Sequence, residues 1–300
     1  MQKVHILTHR DLDGAASYLT VKWFNESPDI EISYTPISSP ANIRDEITSW
    51  LANNSFKSYD RVYFLDLDTY VAKDLIDHKN VTIIDHHASH SNLIETEGKY
   101  ENAKSVVVEY TSCCKLLYKL LSKLKSDVKL TPAQKLLIAI CDDYDSYTLN
   151  IKYSKPLNWV FYGYNNSFPS FIERFDKGFD GFNTSEKSMI QIEHDKITRA
   201  INNLEIYSGT LGPFIVASSF ASGGINEVHE YILQEYPDVD ISIIIMASTN
   251  RVSWRKNEKC PIKLNDVAAK LCNGGGHEYA AGGVITELFT EFTKTLTYGI

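Results

Sequence analysis

Three short apolar runs between residues 1 and 90 each end in aspartate or histidine side chains. The runs lie at about 4–9, 61–66 and 81–85, and segments with helical periodicity separate them. Strands that alternate with helices in this way predict a mostly parallel sheet with helices on both faces. Because the carboxyl ends of parallel strands meet at one edge of a sheet, we expect these acids and imidazoles to lie together there.

The whole chain is predicted to be an α/β protein with two lobes. Its 300 residues and 43% hydrophobic content are enough for two compact cores. The larger lobe is assigned to residues 1–183, a polar linker helix to 184–205, and a smaller α/β lobe to 206–300. A cleft between the lobes is the expected place for a substrate.

Helical periodicity and capping signals predict the remaining elements of the first lobe. A capping box begins at Thr131, with proline at the next position, and opens a helix. The aromatic segment 150–183 is predicted to be irregular. The rings of residues 144–171 could stack on bases, but most of them are expected to pack between the lobes, with Tyr147 and Tyr153 as the exceptions. The earlier helices are expected at 14–24, 41–52, 70–78 and 105–124.

The charge pattern argues against long duplex nucleic acid as a substrate. The net charge is −8, whereas such binding usually needs clustered Lys and Arg. Short phosphate ligands stay possible if bound cations reverse the local sign. The five cysteines do not have the number or spacing of a disulfide framework, and the N-terminus does not resemble a signal peptide, so a cytoplasmic protein is expected. No apolar run reaches the roughly 18 residues of a membrane span, so no membrane partner is expected. A homodimer is left open.

The strand ends and one later acidic segment supply six candidate metal ligands. One ion would use three or four of them, so six favour two ions bridged by a shared carboxylate. Mixed imidazole and carboxylate ligands suit Mn²⁺, and Mg²⁺, Co²⁺ or Zn²⁺ are alternatives. The candidates are His9, Asp11, Asp13, Asp66, His86 and one acid among Asp142, Asp143 and Asp145.

Each of these residues also has an ordinary structural explanation when it is taken alone. A lone His9 is more often a hydrogen-bonded core histidine, and Asp11 and Asp13 could be helix caps. Their recurrence at three strand ends weakens that explanation, because the electrostatic cost of clustering carboxylates adds up. Asp85 precedes a ligand by one residue and is predicted to orient an imidazole.

These residues resemble the four motifs of the DHH phosphoesterase superfamily. The matching stretches are the His-x-Asp-x-Asp-Gly pattern at 9–14, Asp66, the Asp-His-His run at 85–87 and an acid in the segment 141–145. The first motif has no proline before its first aspartate, and this is more similar to the NrnB-like and RecJ-like branches of the superfamily. The Asp-His-His run alone would be weak support, whereas the combination is specific.

The resemblance implies a role for each of these residues. His87 would face the substrate phosphate as a hydrogen-bond donor or a general acid, and Asp85 would orient the imidazole beside it. Family spacing favours Asp143 over Asp142 as the acid of the fourth motif. The implied ligand sets are His9, Asp11 and Asp66 for one ion, and Asp13, Asp66, His86 and Asp143 for the other.

The second half resembles the DHHA1 domain that usually accompanies the first, through residues 252–255 and the glycine-rich segment 273–282. Three consecutive glycines can expose backbone N–H groups to phosphate, although a lone triplet is usually only a helix stop. An arginine nearby can make a bidentate phosphate contact. The implied substrate-binding residues are Arg255, Gly274, Gly275, Gly276 and His277.

The predicted function is a two-metal phosphodiesterase that hydrolyses short single-stranded oligonucleotides to mononucleotides, as nanoRNase-type members of the superfamily do. The alternatives are hydrolysis of a cyclic dinucleotide or of 3′-phosphoadenosine 5′-phosphate. A function of another class, binding of nucleic-acid ends without turnover, is disfavoured because the ligand set is intact.

Overall fold

The computed structural model describes residues 1–38, 42–165, 167–276 and 278–297. The chain divides into two compact units, Met1–Ile190 and Gln191–Ile300. The division falls inside the predicted linker helix, which is observed as a helix at Thr184–Asn202. The domain limits given by the sequence stay a prediction, whereas the α/β fold class is confirmed.

The first unit is built on a five-stranded sheet in which every pairing is parallel. The strand order is β2-β1-β3-β4-β5, so that β1 has β2 on one side and β3 on the other. The order therefore reverses beside β1, and such a switch point is where ligands bind in open α/β sheets. The strands are β1 Gln2–His9, β2 Ile30–Ile37, β3 Arg61–Leu65, β4 Val81–Asp85 and β5 Lys104–Val107.

Nine α-helices belong to the described part of the first unit or cross its end. They are α1 Leu12–Phe24, α2 Ile43–Asn53, α3 Lys73–Ile76, α4 Ala88–Glu97, α5 Cys113–Leu124, α6 Pro132–Asp145, α7 Ser154–Gly163, α8 Ser167–Arg174 and α9 Thr184–Asn202.

Both faces of this sheet are buried. Successive strand residues point to opposite faces, so Tyr63 and Leu65 of β3 join one core cluster while Val62 and Phe64 join the other. The first cluster includes side chains of α1, α5, α6, α7 and α8, and the second includes those of α2. The near-continuous apolar strands therefore match a sheet covered by helices on two sides.

Several predicted elements need correction. The helix expected at 105–124 is wrong in its first part, because the Val-rich residues form β5 beside β4 and the helix begins only after its N-cap Ser112. The helix expected at 70–78 is a short 3₁₀ turn, Tyr70–Ala72, followed by the single turn of α3. The capping box at the start of α6 is confirmed, with Thr131 and Gln134 bonded reciprocally.

The aromatic segment is also more regular than predicted. It forms α7 and α8, and its rings Phe161, Phe168, Phe171 and Phe175 are fully buried in the core of the first unit. The expectation that most of these rings pack between the lobes is therefore wrong. Tyr153, a candidate for base stacking, contacts Phe179, with the ring centroids 5.0 Å apart.

The second unit has a six-stranded mixed sheet in the order β10-β11-β9-β8-β7-β6. Only β7 and β8 pair in parallel, and the other described pairings are antiparallel. The strands are β6 Tyr207–Leu211, β7 Phe214–Phe220, β8 Ile241–Met246, β9 Arg251–Lys256, β10 Gly275–Gly276 and β11 Ala280–Val284, and the helices are α10 Ile225–Glu235, α11 Leu264–Cys272 and α12 Glu287–Thr297. Within the described ranges, every helix is too short or too polar to be a transmembrane candidate.

Candidate metal centre

The end of β1 places His9 and Asp11 beside each other. His9 Nδ1 lies 2.7 Å from Asp11 Oδ2 and 3.8 Å from Asp66 Oδ2. Asp11 is also the N-cap of α1, since its other oxygen accepts a hydrogen bond from the backbone N–H of Gly14 at 2.9 Å. The predicted cap and the predicted candidate ligand are therefore the same side chain.

Gly14 allows α1 to start directly against the end of β1. A Cβ at this position would lie 2.0 Å from the carbonyl oxygen of His9, which no side chain can tolerate. The Thr8 hydroxyl donates to the Gly14 carbonyl at 3.0 Å and fixes the same turn. The close approach brings the first turn of α1, with Asp13, over the edge of the sheet.

Asp13 links this edge to the start of α5. Its side chain is buried, and its two oxygens accept hydrogen bonds from the backbone N–H groups of Cys113 at 2.7 Å and Cys114 at 3.0 Å. A carboxylate is favoured at a helix N-terminus, because the N–H groups there have no partner inside the helix. Asp13 is thus held in place by α5 while it remains within 3.8 Å of His86 Nε2.

Asp66 occupies the middle of the arrangement. It follows β3 with a φ of +58°, in the left-handed region, and its side chain is only 3% exposed. Its Oδ1 lies 3.3 Å from His86 Nε2, whereas its Oδ2 points toward His9 and has no hydrogen-bond partner among the described residues. Burial, together with the nearby charges of Asp13 and Asp11, raises the pKa of Asp66 well above its usual value.

His86 presents one ring nitrogen to the carboxylates. Its Nδ1 lies 3.1 Å from the carbonyl oxygen of Tyr110, and because a carbonyl only accepts, Nδ1 carries the proton. The lone pair of the neutral ring is then on Nε2, which lies between 3.3 and 3.8 Å from oxygens of Asp66, Asp145 and Asp13. A histidine held in this tautomer by a carbonyl is suited to bind a metal ion through Nε2.

Asp85 and His87 form a pair beside the cluster. Asp85 is fully buried, and its Oδ1 accepts from His87 Nδ1 at 2.7 Å and from the His86 N–H at 2.8 Å. Burial by itself would raise the pKa of Asp85, but the adjacent imidazoles hold it well below its usual value. Burial likewise opposes the charge on His87, yet Asp85 raises the pKa of that imidazole to about 9. Asp85 has the place expected for a residue that orients an imidazole.

The structure brings Asp145, rather than the predicted Asp143, to the cluster. Both oxygens of Asp143 are taken by hydrogen bonds of 2.5–2.9 Å from four donors, which are Thr148 Oγ1, Asn150 N, Ile151 N and Ser154 Oγ. Asp142 is bound by the hydroxyls of Thr111 and Ser112 and by Lys115. Asp145 instead places Oδ2 at 3.5 Å from His86 Nε2. Helix residues two apart point about 200° away from each other, so 143 and 145 cannot both face the cluster.

Besides a set made of Asp66, Asp85, His86 and His87, the side chains form two groups that fit divalent cations. One group is His9, Asp11 and Asp66, the other is Asp13, His86 and Asp145, and within each group the potential ligand atoms lie within 4.8 Å of one another. Asp66 joins the groups, because one oxygen faces His9 and the other faces His86. Buried carboxylates without donors need a cation or a proton, and the orphaned Asp66 Oδ2 meets this description. The mixture of oxygen and imidazole ligands suits ions such as Mn²⁺.

In the second unit, the predicted substrate-binding residues Arg255 and Gly275–Gly276 lie on β9 and β10, with β11 between these strands. Arg255 of β9 pairs with Ala280 of β11, and β11 pairs with Gly275–Gly276. The Nη2 atom of Arg255 donates to Asn226 Oδ1 at 2.8 Å, and its Nη1 atom donates to the Trp254 carbonyl at 2.8 Å. His277 lies outside the described residues. The substrate-binding role of this group stays a prediction.

Two of the three glycines are required by backbone packing alone. A Cβ at Gly274 would lie 1.9 Å from the carbonyl oxygen of Gly282, and Gly276 has a φ of +134°. At Gly275 nothing lies within 4 Å of an added Cβ. Glycine is therefore required at the two ends of the triplet by the backbone, whereas a side chain would fit at its centre, Gly275.

Sequence reasoning missed three polar residues that support the predicted ones. His90 of α4 contacts Asp85, Asn226 of α10 contacts Arg255, and His229 of α10 is bonded to Ser242 and Ser253 inside the second unit. Burial lowers the pKa of His229 well below its usual value, so this imidazole is neutral. A single histidine or asparagine on a helix gives no sequence signal, because its partner lies on a distant strand.

No protein-family model and no curated protein matches the sequence. Solved structures do match. The DHH domain of PF0399, which is described as a member of a family of ribosomal proteins, aligns with a TM-score of 0.65 at 15% identity, over 99% of this chain and 87% of that chain. The fold is that of the DHH-domain proteins.

Two further structures share this DHH fold. The pGpG-specific phosphodiesterase PggH from Vibrio cholerae aligns with a TM-score of 0.58 at 13% identity, over 98% of this chain and 96% of that chain. The exonuclease RecJ bound to manganese aligns with a TM-score of 0.52 at 14% identity, over 99% of this chain and 89% of that chain. Identities this low show a shared fold alone. The chemistry depends on the side chains at the edge of the sheet.

Proposed function

We propose that this protein is a metal-dependent phosphodiesterase that hydrolyses short oligonucleotides, with linear dinucleotides as the first candidates. The proposal rests on Asp66, whose two oxygens lie between two groups of imidazole and carboxylate ligands at the carboxyl edge of the sheet. A carboxylate in that position can bridge two ions.

The ligand sets follow from the two groups of side chains. His9, Asp11 and Asp66 would hold one ion, and Asp13, Asp66, His86 and Asp145 would hold the other. Two ions held by these residues would supply the charge that stabilises both the attacking and the leaving oxygen of a phosphoryl displacement.

The protein's own contribution to proton transfer is assigned to His87. Its Nδ1 is bonded to Asp85, so Nε2 is the atom that would donate to the phosphate or to the leaving oxygen. Because the Asp85 carboxylate is fully buried and bonded to the imidazole, it stabilises the charged form of the ring that carries a proton on Nε2.

The size of the substrate is inferred from charge and from similarity. A net charge of −8 disfavours long nucleic acids, which bind through many Lys and Arg contacts. PggH, whose substrate is pGpG, matches this chain over nearly the full length of both proteins. In the second unit, Arg255 is proposed to bind a substrate phosphate, because Asn226 already holds the guanidinium group in one orientation.

The decisive experiment is a substrate panel with Mn²⁺ present. It compares pGpG, pApA, short RNA, short DNA, a cyclic dinucleotide, 3′-phosphoadenosine 5′-phosphate and pyrophosphate, and it measures the released mononucleotide or phosphate. We expect the linear dinucleotides to be hydrolysed fastest, His86→Ala to abolish the release, and Arg255→Ala to raise KM. Tight binding of RNA ends without any hydrolysis would replace the proposal by the nucleic-acid-binding alternative.

A further inference from the structure

Asp85 is shared between His87 and a second imidazole, that of His90. His90 belongs to α4 and is fully buried, and its Nδ1 donates to Asp85 Oδ2 at 2.7 Å. The other oxygen, Oδ1, accepts from His87 Nδ1 at 2.7 Å. The carboxylate of Asp85 thus has a separate partner on each oxygen, and neither oxygen can turn away without losing a charge-assisted hydrogen bond.

The hydrogen bonds continue from His90 into the core. His90 Nε2 lies 3.0 Å from the hydroxyl of Tyr100, and that hydroxyl lies 3.0 Å from Thr69 Oγ1. Thr69 is fully buried and Tyr100 is 7% exposed. The ring of Tyr70 packs edge-on against both His90 and Tyr100. The buried line of polar groups is therefore satisfied at each step, and its members have little freedom to move.

An ordinary explanation of His90 is a hydrogen-bonded core histidine. His90 differs from an ordinary core histidine in its hydrogen-bond partner, because Asp85 is the residue that fixes the His87 ring. Without His90, Asp85 keeps two of its three donors, His87 Nδ1 and the His86 N–H, and because both lie on Oδ1 the carboxylate is free to rotate between them. The orientation of the His87 imidazole then depends on His90, in the first turn of α4.

We propose that His90 and Tyr100 are positioning residues for His87. The line from Thr69 through Tyr100 and His90 holds Asp85 in one orientation, and Asp85 in turn holds the His87 ring so that Nε2 is presented to the leaving oxygen. This inference rests on the proposed phosphodiesterase function. It adds that the activity depends on His90 and Tyr100, which contact neither the substrate nor the two ligand groups.

The test compares His90→Ala, His90→Asn and Tyr100→Phe with the wild type and with His194→Ala, an exposed histidine of α9. The two substrates are pGpG and a p-nitrophenyl ester of thymidine monophosphate, whose leaving group departs as a stable anion without a donated proton. Mn²⁺ affinity and Tm are measured for every variant.

For His90→Ala we expect kcat on pGpG to fall about 10- to 100-fold, as is typical when a supporting hydrogen-bond partner is removed, while KM and Mn²⁺ affinity stay unchanged. The fall on the p-nitrophenyl ester should be much smaller, because that reaction does not need the proton from His87. His90→Asn should restore most of the lost kcat, since its amide can donate from nearly the position of Nδ1. Tyr100→Phe should lower kcat on pGpG in the same direction by less.

Wild-type kcat in His90→Ala would overturn the inference. So would an equal loss on both substrates, or a His90→Asn variant as slow as His90→Ala in a protein that still melts cooperatively. If His90→Ala fails to fold, Tyr100→Phe decides the matter through the same two-substrate ratio. A wild type that hydrolyses neither substrate removes the proposed function itself, whereas an active wild type with unaffected variants removes only the role of His90.

Discussion

Asp66 and Asp143 are both buried aspartates of the first unit, but their surroundings differ. Asp143 receives four hydrogen bonds, and although burial opposes this, those donors lower the pKa of its carboxyl group. Asp66 has an oxygen without a partner among the described residues, and burial beside Asp13 and Asp11 raises its pKa. Four hydrogen bonds make Asp143 a structural carboxylate, whereas the crowded Asp66, with one unsatisfied oxygen, is suited to hold a cation.

The largest expected effect is that of Asp66→Asn on catalysis. We expect kcat/KM on a dinucleotide to fall by at least about 10³-fold, because loss of a bridging ligand removes several kcal/mol of stabilisation and each 1.4 kcal/mol is about tenfold. Asparagine tolerates the positive φ of this position, so the fold should persist. In the metal-free protein, Tm should not decrease, because the variant relieves carboxylate repulsion. A variant with near wild-type activity would refute the bridging role.

The next effect separates Asp145 from Asp143 by Mn²⁺ affinity. We expect Asp145→Asn to weaken binding of the second Mn²⁺ by about 100-fold, since losing even a hydrogen-bond partner of a ligand typically costs about 10- to 100-fold. Asp143→Asn, two residues away on α6, is the matched control and should bind Mn²⁺ as the wild type does. Isothermal titration of both variants measures this difference. The opposite pattern would restore Asp143 as the fourth-motif ligand.

A smaller effect is expected on stability, and there the order of the two variants reverses. Asp143→Asn should lower the free energy of unfolding by about 2–4 kcal/mol, because an amide cannot accept from all the donors that face this carboxylate. That loss corresponds to about 5–15 °C in Tm for a unit of this size. Asp145→Asn should leave the Tm of the metal-free protein unchanged or higher. Calorimetry in the presence of a chelator tests both, and equal melting temperatures would dissolve the distinction.

The smallest effect is a pH dependence of the metal-free protein. Against the opposing effect of burial, Asp85 raises the pKa of His87 to about 9 in the folded state, compared with about 6.5 in an unfolded chain. A raised histidine pKa contributes stability that is fully present below about pH 6.5 and is lost as the pH rises through 9. The raised pKa of Asp66 acts in the same direction at lower pH. Tm should therefore fall between pH 6.5 and 9 and should fall less in His87→Gln; parallel curves would contradict this.

The strand ends of the first unit could be predicted because their signal is local. Each apolar run ends where its polar residues begin, and parallel strands bring those ends to one edge. The positions of His9, Asp11, Asp13, Asp66 and His86 at that edge follow from this pattern alone. The prediction of the fold class succeeded for the same reason.

The acid at the end of α6 could not be chosen from the sequence in the same way. Asp142, Asp143 and Asp145 follow one another within a single helical turn, and rotation of the helix decides which of them faces the cluster. That rotation is set by the packing of α6 and by the loop at 148–154, whose N–H and hydroxyl groups surround Asp143. His90 was missed because it lies on α4, a helix with little apolar patterning, and its partners are on other elements.

Because of Asp13, the cluster can form only after distant parts of the chain have folded together. The Asp13 carboxylate is bonded to N–H groups 100 and 101 residues further along the chain. The contact forms only after a long loop has closed, and such contacts are formed late and at an entropic cost. During synthesis, therefore, the first motif alone has neither the helix start that holds Asp13 nor the acid at 145. Tight binding of the second ion would then report that residues 1–145 have folded around one sheet edge, and a chain truncated before Cys113 should lack it.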